Sequence, residues 1–243
     1  MASGFTYVLV HGAFTDASCW WPITLRLLGS GRRVLAPAVG MRSFADDCAY
    51  IRCIVDRIGG PVILVGHGYG AAVTVVAGSS PAVVGLVLVN GYVLDGGESI
   101  SELSDRFPRV DIGRFVIASL FRDEHDTVHT ELSIDIDRFP ALLADGLAAD
   151  EAQVLAVSQR PIALAALSER AAAAAWRMKP TWGVVSNGDR IIHTEVQRFG
   201  CRRAGARRVL ELDAPYFVMR THPALIVDLL LDAAGEIGSD VGG

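Results

Sequence analysis

The chain has 243 residues, 51% of them hydrophobic and 20% charged, with a formal net charge of −5. That apolar fraction excludes a disordered chain, and the negative balance favours neither nucleic acid nor an anionic membrane. The length suits one α/β domain with a large core, and Cys19, Cys48, Cys53 and Cys201 contain no Cys-x-x-Cys pair, so they read as reduced thiols.

Strand and helix signals alternate along the chain. Phe5–Val10 reads as a strand, followed by a glycine loop at His11-Gly12-Ala13-Phe14. Ser18–Leu28 has helical spacing, and Arg33–Ala36 is a short strand. Ser43 is placed to cap a helix running through Tyr50, Ile54 and Ile58. Pro61–Val65 is the next strand, Tyr69–Ala77 the next helix and Val83–Val89 another buried strand. Thr181–Ser186 and Arg207–Leu212 complete six strands, with helices at Glu195–Arg203 and Pro223–Ala234. Such alternation implies right-handed crossovers and a mostly parallel sheet with helices on both faces. Ligands of these sheets bind at the C-terminal strand edge, where every motif discussed below lies.

Residues 58–94 carry no Asp, Glu, Lys or Arg. They do not read as a membrane span, because Gly66, Gly68, Gly70, Gly78, Pro81 and Gly85 divide the run into pieces too short to cross a bilayer. The opening Met-Ala-Ser-Gly-Phe-Thr has no basic region and no long apolar stretch, so a cytoplasmic protein is expected. Residues 96–178 break the alternation. Phe115–Phe121 and Phe139–Leu147 look like amphipathic helices, and Ala163–Trp176 is rich in the strongest helix former. An insertion of this length is too long for a loop and reads as a helical cap. The expected organisation is a core of residues 1–95 and 179–243 with the cap at 96–178 inserted between core strands.

Pro61-Val-Ile-Leu-Val-Gly66-His67-Gly68-Tyr69-Gly70-Ala-Ala has the pattern of a nucleophile elbow, in which a strained turn between strand and helix lifts its middle residue above the sheet edge. Here that residue is glycine. Together with Leu9-Val10-His11-Gly12-Ala13, Trp20-Trp21, Ser186-Asn187-Gly188-Asp189-Arg190 and Asp213-Ala-Pro-Tyr216-Phe-Val-Met, the elbow makes the chain resemble the α/β-hydrolases, in their small cofactor-free esterase and hydroxynitrile-lyase-like branch. The resemblance implies an α/β-hydrolase fold with about six strands and a cap. It implies serine at position 68, an acid at 189 and histidine at 216. The chain keeps Asp189 and departs at Gly68 and Tyr216.

These departures remove the attacking oxygen and its base, and leave only the group that would orient the base. A phenol with an ordinary pKa near 10 is protonated at neutral pH, so Tyr216 reads as a hydrogen-bond donor or general acid. Asp189 is expected to pair with the Tyr216 hydroxyl, with Arg190 or with water. Glycine at 68 also relieves the strain of the turn. The resemblance places the backbone N–H groups of Ala13 and Tyr69 at an oxyanion hole, with Phe14 and His67 beside the vacated nucleophile position. His222 follows Tyr216 closely enough to be weighed as a relocated base. No His, Cys, Asp or Glu group has metal-ligand spacing, and no phosphate loop or dinucleotide fingerprint occurs, so no metal and no cofactor are expected. The expected partner is a small-molecule ligand or substrate, with no nucleic acid and no membrane; a homodimer is compatible with the sequence. Three functions fit: a non-hydrolytic cyclase, isomerase or lyase acting on a small apolar carbonyl compound; a ligand-binding or assembly protein without turnover; or a weak residual esterase.

Overall fold

The computed structural model describes residues 4–242. Met1–Ser3 and Gly243, which the expected core includes, lie outside the described residues. In chain order the elements are β1 (Thr6–Val10), α1 (Trp21–Gly29), β2 (Arg33–Leu35), α2 (Phe44–Asp56), β3 (Val62–His67), α3 (Tyr69–Ala77), β4 (Val83–Val89) and α4 (Ile100–Ser104). They continue with β5 (Val116–Arg122), β6 (Val128–Ile134), α5 (Phe139–Leu143), α6 (Ala149–Val157), β7 (Ile162–Ala163) and α7 (Leu164–Ser168). The chain closes with β8 (Thr181–Ser186), α8 (Thr194–Arg203), β9 (Val209–Leu212), α9 (Val218–Thr221) and α10 (Pro223–Gly242).

Six strands form one parallel sheet in the order β2-β1-β3-β4-β8-β9. The central strands read as unbroken Val, Ile and Leu because both of their faces are covered; β1 and β3 are buried at every residue. The uncharged run 58–94 resolves into β3, α3 and β4. Among the described residues no helix is long and apolar enough to cross a membrane. Ser43 caps α2 as expected, its hydroxyl accepting from the Asp46 N–H at 3.2 Å. The helical spacing from Ser18 begins instead as a 3-10 turn at Ala17–Trp20, capped by Asp16, before α1 starts with Pro22 in its first turn.

The segment between β4 and β8, expected as a helical cap, carries a three-stranded sheet in the order β5-β6-β7 besides its helices. Phe115–Phe121, expected as a helix, lies largely in β5, which pairs antiparallel with β6 over seven residue pairs from Val116↔Ile134 to Arg122↔Val128. The β-branched residues Val116 and Ile117 and the aromatic Phe121 suit a strand. The connection is an Asx-type turn: Asp123 Oδ1 accepts from the N–H groups of His125 and Thr127, each at 2.9 Å. Phe139–Leu147 contributes only the short α5. The alanine-rich 163–176 is α-helical only over Leu164–Ser168, with a 3-10 turn beginning at Ala175. Its continuation is pulled off helical geometry by outside partners. The Ala171 N–H donates to Glu98 O and its carbonyl accepts from Gly97 N, both at 2.8 Å. Tertiary pairing overrides helix propensity here.

The cap is tied to the core through the loop before α2. The Ala163 N–H donates to the Met41 carbonyl at 2.8 Å, and Arg42 pairs with Glu131 of β6.

Candidate functional site

The loops leaving β1, β3, β8 and β9 converge at the C-terminal edge of the sheet. The turn after β3 has the strained elbow backbone: Gly68 sits at φ 55°, ψ −116°, a region that disfavours residues with a Cβ. Tyr216 follows β9 and is fully buried, and its ring packs on His67 with centroids 4.3 Å apart. Its hydroxyl donates to the Ala13 carbonyl at 3.2 Å. A Cβ built on Gly68 would stand 2.8 Å from that hydroxyl oxygen, and one built on Gly12 would crowd the same oxygen and lie 2.7 Å from His67 Nδ1. The phenol therefore fills the room that a side chain at 68 would need.

Asp189 pairs with neither the Tyr216 hydroxyl nor Arg190, two of the partners expected for it. Asp189 is enclosed by four donors. Its Oδ1 accepts from Ile191 N at 2.8 Å and Ile192 N at 3.0 Å. Its Oδ2 accepts from Gln197 Nε2 at 3.0 Å and Asn90 Nδ2 at 3.4 Å. Arg190 instead donates to the Ala141 carbonyl. Desolvation outweighs these hydrogen bonds and pushes the carboxyl up to about 7. Asp189 reaches Tyr216 only through Asn90, whose amide also donates to the Tyr216 carbonyl at 3.2 Å.

Asn90 was not legible as a site residue. It stands just beyond β4 with φ 45°, and its Oδ1 accepts from Ser186 Oγ at 2.9 Å. The one available signal was an amide side chain directly after an uninterrupted apolar strand. Gln197 on α8 is a second such residue. Asp47 on α2 is a third: it is buried, accepts the Tyr69 hydroxyl at 2.7 Å, and takes the N–H groups of Gly40 and Met41 at 2.8 and 3.0 Å. Burial raises the Asp47 carboxyl above the usual carboxylate range.

The histidines are engaged elsewhere. His11 Nε2 accepts from Val39 N at 3.0 Å, so its Nδ1 carries the proton and donates to Gly12 O at 2.9 Å. His67 Nε2 donates to the Tyr216 carbonyl at 2.9 Å. Desolvation holds His11 down to about 4 and His67 to about 3, so both are neutral. His222 faces Thr221 at 2.9 Å and borders a separate surface cleft with Asp145 and Asp213. Among the described residues no three His, Cys, Asp or Glu side chains converge as a metal site.

Beneath the cap lies a cavity of about 340 Å³. Ala13, Phe14, Tyr69 and Tyr216 form its core-side wall, and Leu132 and Ile162 of the cap sheet face them. Its lining is mainly apolar with a few converging polar groups, the usual character of a small-molecule site. Four expected site residues, Ala13, Phe14, Tyr69 and Tyr216, thus meet at one chamber. His67 and Gly68 pack against the Tyr216 side chain, and Asp189 does not line the chamber.

In three dimensions the chain is similar to polyneuridine aldehyde esterase, with a TM-score of 0.81 and 18% identity over 95% of this chain and 99% of the other. It is similar to tomato methylketone synthase I, solved in complex with 2-tridecanone, with a TM-score of 0.80 and 17% identity over 96% and 99%. A methylesterase from Arabidopsis matches with a TM-score of 0.78 and 13% identity over 95% and 99%. At these identities the likeness is one of fold. No curated protein sequence matches the chain at a significant level. Residues 7–229 match the alpha/beta hydrolase family, and with its parallel six-stranded sheet and elbow the chain belongs to that family.

Proposed function

We propose that this protein binds a small apolar carbonyl compound beneath its cap and acts on it without a covalent acyl intermediate, as a cyclase, isomerase or lyase. In this reading Gly68 and Tyr216 stand where hydrolytic relatives carry serine and histidine. One observation carries the proposal: the Tyr216 hydroxyl occupies the space of a residue-68 side chain while the ring still lines the chamber. The nucleophile's position has been taken over by a hydrogen-bond donor.

The chemistry follows from what each group can do. Burial raises the Tyr216 phenol well above its ordinary value, so it keeps its proton and donates. The Ala13 and Tyr69 backbone N–H groups, the latter at the start of α3, supply two more donors. A substrate carbonyl among these three would be polarised once the Tyr216 hydroxyl turns its one proton from the Ala13 carbonyl to the ligand, and negative charge building on the carbonyl oxygen would then be stabilised. The cap excludes water, which strengthens each of these interactions. Ring closure onto the carbonyl, isomerisation by proton transfer within the substrate through its enol, and cleavage of a bond beside the carbonyl all develop charge at that oxygen. The polyneuridine aldehyde esterase and methylketone synthase folds, the latter solved with an apolar ketone, are consistent with such a ligand.

A second reading, binding without turnover, is favoured by the enclosure of Asp189, whose four donors leave it no path to a substrate proton. One comparison tests both. An apolar 1,3-diketone, whose enolate mimics the developing charge, should bind at least tenfold more tightly than the matching monoketone, and Tyr216→Phe should erase most of that gap. Equal affinities in the parent protein would favour simple binding. An undiminished gap in Tyr216→Phe would remove the tyrosine from the reaction.

A further inference from the structure

A second cavity adjoins the chamber beneath the cap at Tyr92. Its volume is about 250 Å³, and the two share five wall residues: Tyr92, Ser104, Asp105, Ile112 and Ile191. Beyond that common wall the outer cavity is bounded by Pro108, Val110 and Val196, with Arg109 and His193 at its rim. Arg109 is largely exposed and pairs with Asp105 at 2.9 Å. The ion pair neutralises itself, so the rim does not demand a charged ligand. His193 is occupied as the cap of α8, its Nδ1 accepting from Glu195 N at 3.2 Å. What remains facing the cavity is chiefly apolar.

We infer that the two cavities form one channel for a substrate with an extended alkyl or acyl chain, whose carbonyl lies innermost at Ala13, Tyr69 and Tyr216 and whose tail runs past Tyr92 and Ile191 to leave between Val110 and Val196. This inference rests on the carbonyl-binding reading of the inner chamber and adds the substrate's shape and direction. Two backbone N–H groups and the Tyr216 hydroxyl converge at the inner end, whereas the common wall offers the scattered hydroxyls of Tyr92 and Ser104 and the rim an Arg109 already paired with Asp105, so the carbonyl goes to the inner end. The outer walls offer apolar surface, so the remainder of the ligand is hydrocarbon. A compact ring system of the same size would fill the inner chamber and leave the outer one unused.

The test is displacement of the hydrophobic dye anilinonaphthalene sulfonate from the full chain by methyl ketones with pentyl, nonyl and pentadecyl chains. Affinity should rise through the series, approaching about fourfold per added carbon, which corresponds to about 0.8 kcal/mol per buried methylene. Val110→Trp narrows the outer cavity from a half-buried loop position. It should cut the ratio of pentadecyl to pentyl affinity at least tenfold at an unchanged melting temperature. Val110→Asp, which places a charge on the same wall, is read in the same way should the indole variant fail to fold. If the pentyl ketone binds and longer chains gain nothing, the channel is overturned while the inner carbonyl site stands. An unchanged ratio in a folded Val110 variant overturns the outer half of the path. If no ketone displaces the dye, the channel and the carbonyl-binding reading fall together.

Discussion

The Tyr216 hydroxyl lies 2.8 Å from the point where Gly68 would carry its Cβ. The two residues are 148 positions apart, yet each sets what the other is allowed to be. Glycine admits the phenol, and the phenol excludes any larger residue at 68.

Gly68→Ser should therefore fail on two counts. The elbow backbone strains any residue with a Cβ, and that Cβ meets the phenol oxygen. Together these should cost about 2–4 kcal/mol, with no gain of ester hydrolysis. Tyr216→His removes the obstruction and supplies a base, so the double variant should recover stability relative to Gly68→Ser and show some esterase activity. Urea melts of all four members of the cycle measure the coupling. Strict additivity would show that the two positions do not compete for space.

The parent chain should form no adduct with serine-directed fluorophosphonates and should hydrolyse short p-nitrophenyl esters at background rates. Gly68 has no side-chain oxygen, and no histidine lies in the chamber wall to activate another hydroxyl. Intact-protein mass spectrometry after labelling is decisive, since a stoichiometric adduct would reveal a nucleophile elsewhere.

Tyr216→Phe keeps the ring against His67 and removes one hydrogen bond to the Ala13 carbonyl. Stability should fall by about 0.5–1.5 kcal/mol. Affinity for an apolar carbonyl ligand should fall further than this, because the one donor that can turn from the Ala13 carbonyl to the ligand is lost. Equal affinity in the two proteins would reduce the tyrosine to packing.

Asp189 makes stability depend on pH in a direction that can be worked out. Its carboxyl titrates near 7 in the folded chain against an ordinary value of 3.8. Between those values the folded state holds a proton that the unfolded chain releases, so this group's contribution declines as pH rises from about 4 to 7, by a few kcal/mol at most. His11 and His67, held at about 4 and about 3, act oppositely: their contribution is lost as pH falls below the usual histidine value of 6.5. In the parent the two trends partly cancel. Asp189→Asn removes one of them, so its melting temperature relative to the parent should climb between pH 4 and pH 8. A difference that stays level across that range would mean Asp189 is ionised throughout.

Asp47→Ala should be among the most damaging single changes outside the sheet. It strands the Tyr69 hydroxyl and the buried Met41 N–H, at about 1–3 kcal/mol for each, and frees the Gly40 N–H at an exposed position. Met41, whose carbonyl carries cap strand β7, loses its anchor at the same time. Amide exchange at Ala163 should speed up more than exchange in β3. Uniform acceleration across the chain would indicate global destabilisation alone.

Local chemistry carried the core in the sequence. Unbroken runs such as Val62–Val65 and Val83–Val89 declare doubly covered parallel strands, because no polar residue is tolerated on either face. The small residues around Gly68 declare the elbow, and the order of motifs along the chain declares which loops meet at the strand ends. What the tertiary structure decided are the partners. Val116–Arg122 became a strand because Val128–Ile134 lay across a tight turn to receive it, and the alanines after Ser168 left the helix because Glu98 and Gly97 took their backbone groups. Asp189 turned to Asn90 and Gln197 rather than Tyr216, and the Tyr216 hydroxyl turned to Ala13, 203 residues away. Periodicity and turn chemistry act over a few residues and can be read along the chain. A buried polar group takes whichever complementary partner the packed fold brings within about 3 Å, and that proximity exists only once the sheet, the cap and the loops have assembled.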